Sequence, residues 1–307
     1  MRHEPVMVRE VLEALALEPG GVAVDGTVGL GGHSARLLEA VSPGGALIGL
    51  DWDAAMLARA RVPLEGAEGV RVHLVGASFE RIPEVLGELG LRAQGILLDL
   101  GLNSAQVDDP QRGLSFAQDG PLDMRMDRSR GEPAAALLNR AAPGEIERAL
   151  SEFGDERWAR AIARSVVARR KETPLRTTAD LVACVLDAIP PRAREKRIHP
   201  ATRTFQAVRI WVNGELDLLE GALRGAAATL AEGGVLAVLS YHSGEDRIVK
   251  HVFRDLARTG GFEDLYRKPL GPGADEIRAN PRARSAKLRA LRRGAETNGS
   301  ERSDGTV

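Results

Sequence analysis

The chain has 307 residues, 43% of them hydrophobic, and a formal net charge of −1, which is enough apolar material for a buried core in one large domain or two ordinary ones. No apolar run approaches the roughly 20 residues of a membrane-spanning helix, and the opening MRHEPVMVREVLE lacks the pattern of a secretory signal. Cys184 is the only cysteine, which excludes disulfides within the chain. The apolar content predicts a globular protein, and the lack of a signal pattern and of disulfides predicts a cytoplasmic one.

Short apolar runs alternate with helical patterns over the first hundred residues. The runs typical of buried strands are residues 21–27, 45–51, 70–76 and 94–100, and a fifth follows much later at 234–241. Alternating strands and helices produce a parallel sheet with helices on both faces. We therefore predict an α/β, doubly wound fold.

The loop after the first strand, DGTVGLGGHS, is rich in glycine. It has no lysine for a P-loop, and Ser34 stands where a dinucleotide fingerprint has its third glycine. Asp25 would repel a pyrophosphate and suits a ligand with a positive end, such as an ammonium or a sulfonium. A purely structural turn is the alternative.

Polar or aromatic residues also follow the second and third strands. Asp51 ends the second strand, where a carboxylate can accept hydrogen bonds from ribose hydroxyls, and Asp53 suits the N-cap of the next helix. Phe79 follows the third strand, where its ring could stack on an adenine or belong to the core. These residues predict a site for a nucleoside.

The fourth strand leads into the most unusual stretch, DLGLNSAQVDDPQRGLSF (99–116). Asp99, Asn103, Ser104 and Gln106 lie at the carboxyl end of this strand, where open α/β sheets place their ligands. Their oxygens suit a substrate amino group. Simple ordering of the turn by Asp99 and Asn103 is the alternative.

The strand pattern stops after about residue 105. Residues 133–189 carry helical patterns alone, with Gly154 as a stop and Asp155 or Thr177 as caps. One long helix is predicted over 201–234, before the strand at 234–241 and a helix over 245–258.

This pattern predicts a discontinuous α/β core at 1–106 and 205–293. It also predicts a helical insert at 107–204 and a disordered tail at 294–307.

Positive charge is concentrated in the second half of the chain. Residues 1–150 carry a net charge of −8 and residues 151–307 a net charge of +7, with basic clusters at 157–209 and 278–293. Because each neutralised phosphate releases counterions, clustered arginine favours a nucleic-acid partner. A solvated helix face is the alternative for either cluster alone.

Eight stretches resemble the RsmH (MraW) family of 16S rRNA cytosine-N4 methyltransferases, in order along nearly the whole chain. They are HEPVM (3–7), DGTVGLGGHS (25–34), LDWD (50–53), DLGLNSAQVDDPQRGLSF (99–116), PLDMRMD (121–127), HPATRTFQAVRIWVNGEL (199–216), SYHSGEDRIVK (240–250) and NPRARSAKLR (280–289).

The resemblance implies a class I, Rossmann-like methyltransferase core with an inserted helical domain for RNA recognition. It implies S-adenosylmethionine as methyl donor and a cytosine in the decoding region of 16S rRNA within the 30S subunit. No metal is expected, because the six histidines show no ligand spacing with other His, Cys or acidic residues. It allows a homodimer. The cofactor contacts carried over by motif are Gly31, Gly32, His33, Asp51, Phe79, Asp99 and Gln106.

The chain departs from the family pattern at Asn103, where serine is usual, at Tyr241, where phenylalanine is usual, and at Gly244, where leucine is usual. We expect Asp99, Asn103 or Ser104 to accept a hydrogen bond from the cytosine amino group and align its nitrogen with the methyl group. The basic insert and the basic C-terminal segment are expected to hold the RNA backbone.

Two other functions stay open. A nucleic-acid binding module with a vestigial cofactor site could use residues 149–170 as a helix-turn-helix. A small-molecule methyltransferase would leave the arginine clusters as solvent-exposed faces.

Overall fold

A computed structural model describes residues 5–64, 66–67, 69–195 and 197–295. Residues 3–4 of the HEPVM stretch and residues 296–307 of the predicted disordered tail lie outside this part. The described residues divide into two compact units. We call Trp52–Ala54 with Gly101–Leu219 the helical unit, and the described parts of 2–51, 55–100 and 220–307 the core unit.

The core unit contains a seven-stranded sheet in the order β3-β2-β1-β4-β5-β7-β6. The strands are β1 Val22–Asp25, β2 Ala46–Leu50, β3 Arg71–Val75, β4 Ala93–Asp99, β5 Leu230–Ser240, β6 Phe262–Asp264 and β7 Lys287–Arg293. β1 to β5 pair in parallel, whereas β7 is antiparallel to both β5 and β6. The predicted α/β, doubly wound fold is confirmed.

Helices accompany these strands. They are α1 Val8–Leu15, α2 Gly32–Val41, α3 Ala54–Leu64, α4 Ile82–Leu89, α11 Glu215–Ala228, α12 Ser243–Thr259 and α13 Ala274–Ala279. The division between the units falls inside α11 and at the start of α3. Val11, Leu37, Leu47, Leu97 and Leu239 belong to one buried cluster, so side chains from both helices and strands form the core of this unit.

The helical unit has a hydrophobic core of its own. Its helices are α5 Ser104–Asp108, α6 Ala134–Arg140, α7 Pro143–Gly154, α8 Ala159–Glu172, α9 Thr178–Ala188 and α10 Thr202–Asn213. Leu138, Ile146, Ile162, Leu181 and Phe205 pack in this core. Between residues 133 and 189 the described elements are all helical, as the pattern predicts.

The limits of the helical unit differ from the predicted insert of 107–204. The unit begins at Gly101 and ends at Leu219, because Leu102 packs against its core and Phe205 and Val208 of α10 are part of that core. A role of this unit in RNA recognition stays a prediction.

The predicted helix caps take two different forms. Asp155 is the C-cap of α7 in a left-handed conformation (φ 48°), and Thr177 is the N-cap of α9, where its hydroxyl accepts a hydrogen bond from the Asp180 N–H at 3.3 Å. A Cβ on Gly154 would lie 2.6 Å from the Arg203 carbonyl oxygen. Glycine is therefore required where α7 packs against α10.

The single long helix predicted over 201–234 is wrong. α10 ends at Asn213, because Gly214 adopts a left-handed conformation (φ 61°), and α11 begins at Glu215. Leu230 already belongs to β5, so this strand begins four residues earlier than the predicted start at residue 234.

The basic segment 278–293 contains a strand that the sequence pattern did not predict. β7 lies between β5 and β6, and its Arg289 is only 4% exposed. Asp246 accepts hydrogen bonds from Arg289 Nε at 2.7 Å and Lys287 Nζ at 2.9 Å. Although burial opposes it, these bonds hold the pKa of Asp246 below its ordinary value. Lys287 and Arg289, which belong to the basic segment expected to hold RNA, are therefore paired with a carboxylate of the core unit.

Within the described residues, every helix is too short or too polar to cross a lipid bilayer.

Candidate cofactor and substrate site

Asp25, at the carboxyl end of β1, holds the glycine-rich loop together. Its Oδ2 accepts a hydrogen bond from Ser34 Oγ at 2.6 Å, and its Oδ1 accepts one from the Thr27 N–H at 3.1 Å. Burial raises the pKa of Asp25, whereas the bond from Ser34 acts in the opposite direction. The carboxylate is fully buried, so the expectation that it faces the positive end of a ligand is wrong.

The loop ends at the N-terminus of α2. Gly31 has φ +81°, a left-handed conformation that glycine adopts without strain, and a Cβ on Gly32 would lie 2.5 Å from Pro5 Cγ. The first N–H groups of a helix have no acceptor within that helix and can bind the polar end of a ligand. Gly31 and Gly32 therefore have structural reasons to be glycine, and their contact with a cofactor stays a prediction.

His33 has a buried polar atom that is available to a ligand. Its side chain is 7% exposed, and its Nε2 is buried without a hydrogen-bond partner in the part of the chain that the structure describes. Burial lowers the pKa of His33, although nearby Asp25 opposes this, so the ring is neutral at pH 7. A buried polar atom left unpaired costs about 1–3 kcal/mol, which a hydrogen-bonding ligand would recover.

Asp51 and Phe79 lie at the carboxyl ends of β2 and β3, where they were predicted. Asp51 Oδ2 accepts a hydrogen bond from the Gly29 N–H at 2.7 Å, so this carboxylate also fixes the loop. Phe79 is half-buried. A Cβ built on Gly26 would lie 3.1 Å from the Cβ of Phe79. The ring therefore lies beside the end of β1, and the ribose and adenine contacts stay predictions.

Asp99 lies at the carboxyl end of β4 and is held by residues that follow two other strands, β1 and β5. Its N–H donates to Thr27 Oγ1 at 2.7 Å, and its Oδ1 accepts a hydrogen bond from the Tyr241 hydroxyl at 2.7 Å. Its Oδ2 is 3.6 Å from His33 Nε2. The side chain is 25% exposed, so the carboxylate is accessible although its orientation is fixed.

Asn103, Ser104 and Gln106 belong to the helical unit. Asn103 is the N-cap of α5: its Oδ1 accepts a hydrogen bond from the Gln106 N–H at 3.0 Å, and Gln106 Oε1 accepts one from the Asn103 N–H at 3.2 Å. The Ser104 hydroxyl is buried and has no hydrogen-bond partner among the described residues. Asn103 thus orders the turn, and the Ser104 hydroxyl is a polar group that a ligand can bind.

Gln106 joins a buried network that the sequence did not predict. Asp53 Oδ2 accepts hydrogen bonds from Gln106 Nε2 at 2.9 Å and from an Arg112 guanidinium nitrogen at 2.7 Å. Asp53 also directly precedes α3, in the predicted N-cap position. A buried arginine needs a carboxylate, so Arg112 within DDPQRG was the available signal for this network.

One further residue near the predicted site, Tyr241, is not among the predicted site residues. The sequence marks Tyr241 only as a departure from the family pattern, although its position directly after β5 places it at the same sheet edge as Asp99.

In the described residues, no group of three or more His, Cys, Asp or Glu side chains has the arrangement of a metal site.

Comparison with known proteins gives similarity over almost the whole chain. The profile of the MraW methylase family matches residues 1–294. "Ribosomal RNA small subunit methyltransferase H" of Trichlorobacter lovleyi is 48% identical over 304 residues, which cover 94% of this chain and 97% of that protein. The protein with the same name from Heliobacterium modesticaldum is 48% identical over 94% of this chain and 97% of that protein. The one from Syntrophotalea carbinolica is 48% identical over 95% of this chain and 98% of that protein.

Proposed function

The chain belongs to the MraW methylase family, and from this membership we propose that it transfers a methyl group from S-adenosylmethionine to the exocyclic N4 of a cytosine in the decoding region of 16S rRNA. Relatives named as small-subunit rRNA methyltransferases match over nearly their full length, which supports the rRNA substrate. The structural observation that carries the proposal is the pair of His33 and Asp99. A buried, unpaired ring nitrogen lies 3.6 Å from an accessible carboxylate at the carboxyl edge of the sheet.

The residues around the glycine loop fit the proposed cofactor. The start of α2 offers N–H groups that have no acceptor within the helix and can bind a carboxylate. Asp51 lies where a ribose would bind, and Phe79 offers a ring face to an adenine. His33 Nε2 has no partner in the described chain, so the bond between its ring and the Val6 backbone uses the other nitrogen. The neutral ring can then accept one hydrogen bond through Nε2. S-adenosylmethionine, when bound, supplies an electrophilic methyl group.

Asp99 is proposed to act on the amino group of the substrate. The N4 lone pair of cytosine is delocalised into the ring and is a poor nucleophile. A carboxylate that accepts a hydrogen bond from this amino group localises the lone pair and orients the nitrogen. Once the nitrogen has gained a methyl group it must lose a proton, which Asp99 Oδ2 can accept. Asn103 and Ser104 stay proposed as further acceptors.

The exposed face of α8 supports contact with RNA. Arg160 and Arg164 lie one turn apart on this face, and neither has a bonded partner in the described part of the chain. Arg169, in contrast, is paired with Asp180 at 2.9 Å, and Arg170 donates to backbone carbonyls. We therefore assign phosphate contacts to Arg160 and Arg164 rather than to the whole arginine cluster.

Transfer of labelled methyl groups to purified 30S subunits tests this proposal. We expect the RNA to become labelled, and the double variant Arg160→Ala/Arg164→Ala to bind 30S subunits more weakly than the unmodified chain. Each lost phosphate contact reduces the magnitude of the slope of log affinity against log salt concentration by about 1. The slope of the double variant should therefore be smaller in magnitude by about 2. Binding of S-adenosylmethionine should not change.

The matched control is Arg254→Ala/Arg258→Ala, which removes two exposed charges at the same spacing on α12. Its salt slope should equal that of the unmodified chain. Cofactor binding with no methyl transfer to any RNA would favour the binding module instead. Salt-independent methylation of a small molecule would favour the small-molecule methyltransferase.

A further inference from the structure

Tyr241 reaches Asp99 because of the register between two neighbouring strands. Asp99 of β4 lies opposite Leu239 of β5, and Tyr241 comes two residues after Leu239, on the same face of the sheet. Its hydroxyl donates to Asp99 Oδ1 at 2.7 Å, across 142 positions of sequence. The contact is therefore built by the fold and not by local sequence.

The backbone of Tyr241 is fixed by the start of α12. Its N–H donates to Glu245 Oε2 at 2.8 Å, and the same carboxylate oxygen accepts a hydrogen bond from the His242 N–H at 3.3 Å, as part of the capping box of this helix. Because Glu245 is 3% exposed, this anchor is shielded from water. The phenol thus approaches Asp99 from a rigid position.

The surroundings of the phenol keep it protonated. Burial, and then the neighbouring carboxylates, raise the pKa of Tyr241, so its hydroxyl is a hydrogen-bond donor throughout the physiological pH range. Titratable groups that face Tyr241 or Asp99 come from β1, α2, β4, α12 and α13. They are Asp25, His33, Asp99, Glu245 and Glu276.

The bond from Tyr241 leaves the second oxygen of Asp99 on the side of His33. Oδ1 is bonded to the phenol, whereas Oδ2 is 3.6 Å from His33 Nε2. A hydrogen bond to the charged form of a carboxylate favours that form and limits its rotation. Both effects would help Asp99 accept a hydrogen bond and then a proton.

We propose that Tyr241 is a positioning residue, whose hydroxyl orients the Asp99 carboxylate for the substrate amino group. This inference rests on the function proposed above. Methyl transfer then depends on a residue that follows β5 as well as on the residues that follow β1 and β4. Phenylalanine at this position would leave Asp99 without this donor.

The substitution Tyr241→Phe tests the proposal because it removes a single oxygen. We expect kcat for methyl transfer to 30S subunits to fall about 3- to 10-fold, the effect of one hydrogen bond, while KM for the 30S subunit changes less than about 2-fold. Without the donor, Asp99 takes up a proton at higher pH. The acid limb of the pH profile of kcat should therefore move upward by roughly half to one pH unit.

Tyr266→Phe is the matched control, since the chain has two tyrosines. Tyr266 faces Glu13 and Arg292 and should keep the kinetics and pH profile of the unmodified chain after substitution. In an Asp99→Asn background, Tyr241→Phe should cause little further loss, because the residues act as one unit.

An unmoved acid limb in Tyr241→Phe, or losses that simply multiply in the double variant, would overturn the proposal. A uniform fall in kcat at every pH would show that the hydroxyl merely supports packing. If the unmodified chain transfers no methyl group to RNA, the proposed function fails, and that outcome differs from both of these.

Discussion

Replacing Asp99 by alanine is expected to lower kcat for methyl transfer to 30S subunits by on the order of 100-fold, because one preorganised polar group aimed at the reacting atoms commonly contributes that much. Asp99 is the residue at which the contacts of three strands meet. It is bonded to Thr27 after β1 and to Tyr241 after β5, while its own position ends β4. Its removal should therefore abolish both the orientation of the substrate amino group and the negative charge beside it.

Two measurements separate the roles of Asp99. Single-turnover rates report transfer to the substrate, and calorimetric binding of S-adenosylhomocysteine reports the cofactor contact that the family resemblance also implies. Asp99→Asn keeps the size and one acceptor oxygen, so it should retain more activity than Asp99→Ala. Undiminished turnover in the alanine variant would remove Asp99 from the mechanism, and a loss confined to cofactor binding would limit it to that role.

Replacing Asp53 by alanine should lower the free energy of unfolding by about 3–5 kcal/mol, the usual effect of removing one partner from a buried ion pair. The Asp53 side chain is 4% exposed and that of Arg112 is 7% exposed, with a nitrogen-to-oxygen distance of 2.7 Å. Alanine would leave the guanidinium buried without a counter-charge. It would also remove the acceptor of the Gln106 side-chain amide.

Urea unfolding followed by circular dichroism measures this loss. The control is Glu84→Ala, which removes one partner of an exposed pair with Arg81, where the side chains are 62% and 49% exposed. Its effect should be at most about 1 kcal/mol. Equal stability of Asp53→Ala and the unmodified chain would contradict the assignment of this network as a buried anchor of the helical unit.

The sequence predicts the parallel part of the sheet well because its strands are nearly continuous apolar runs. β7 is not predicted for the opposite reason: KLRALRR has four basic residues among seven, a composition that favours an RNA-binding segment over a buried strand. Leu288 and Leu291 are nevertheless fully buried. Arg289 can be buried because Asp246, 43 positions away, accepts its hydrogen bond, and no local pattern indicates such a partner.

The same limit applies to the candidate site. Strand ends and polar residues were enough to locate Asp51 and Asp99, since the carboxyl ends of parallel strands meet at one edge. The identity of each hydrogen-bond partner depends on register and side-chain direction. For this reason Asp25 turned out to be buried under the loop, and the bond between Tyr241 and Asp99 became visible only in the structure.

Mass spectrometry of nucleosides from 16S rRNA tests the proposed reaction most directly. Purified 30S subunits would be incubated with this chain and isotope-labelled S-adenosylmethionine, and the RNA would then be digested in fragments and to nucleosides. We expect the label in N4-methylcytidine, at a cytosine within the fragment that contains the decoding region. Label on another atom or another base, or RNA that remains unlabelled while the chain binds the cofactor, would contradict the proposed function.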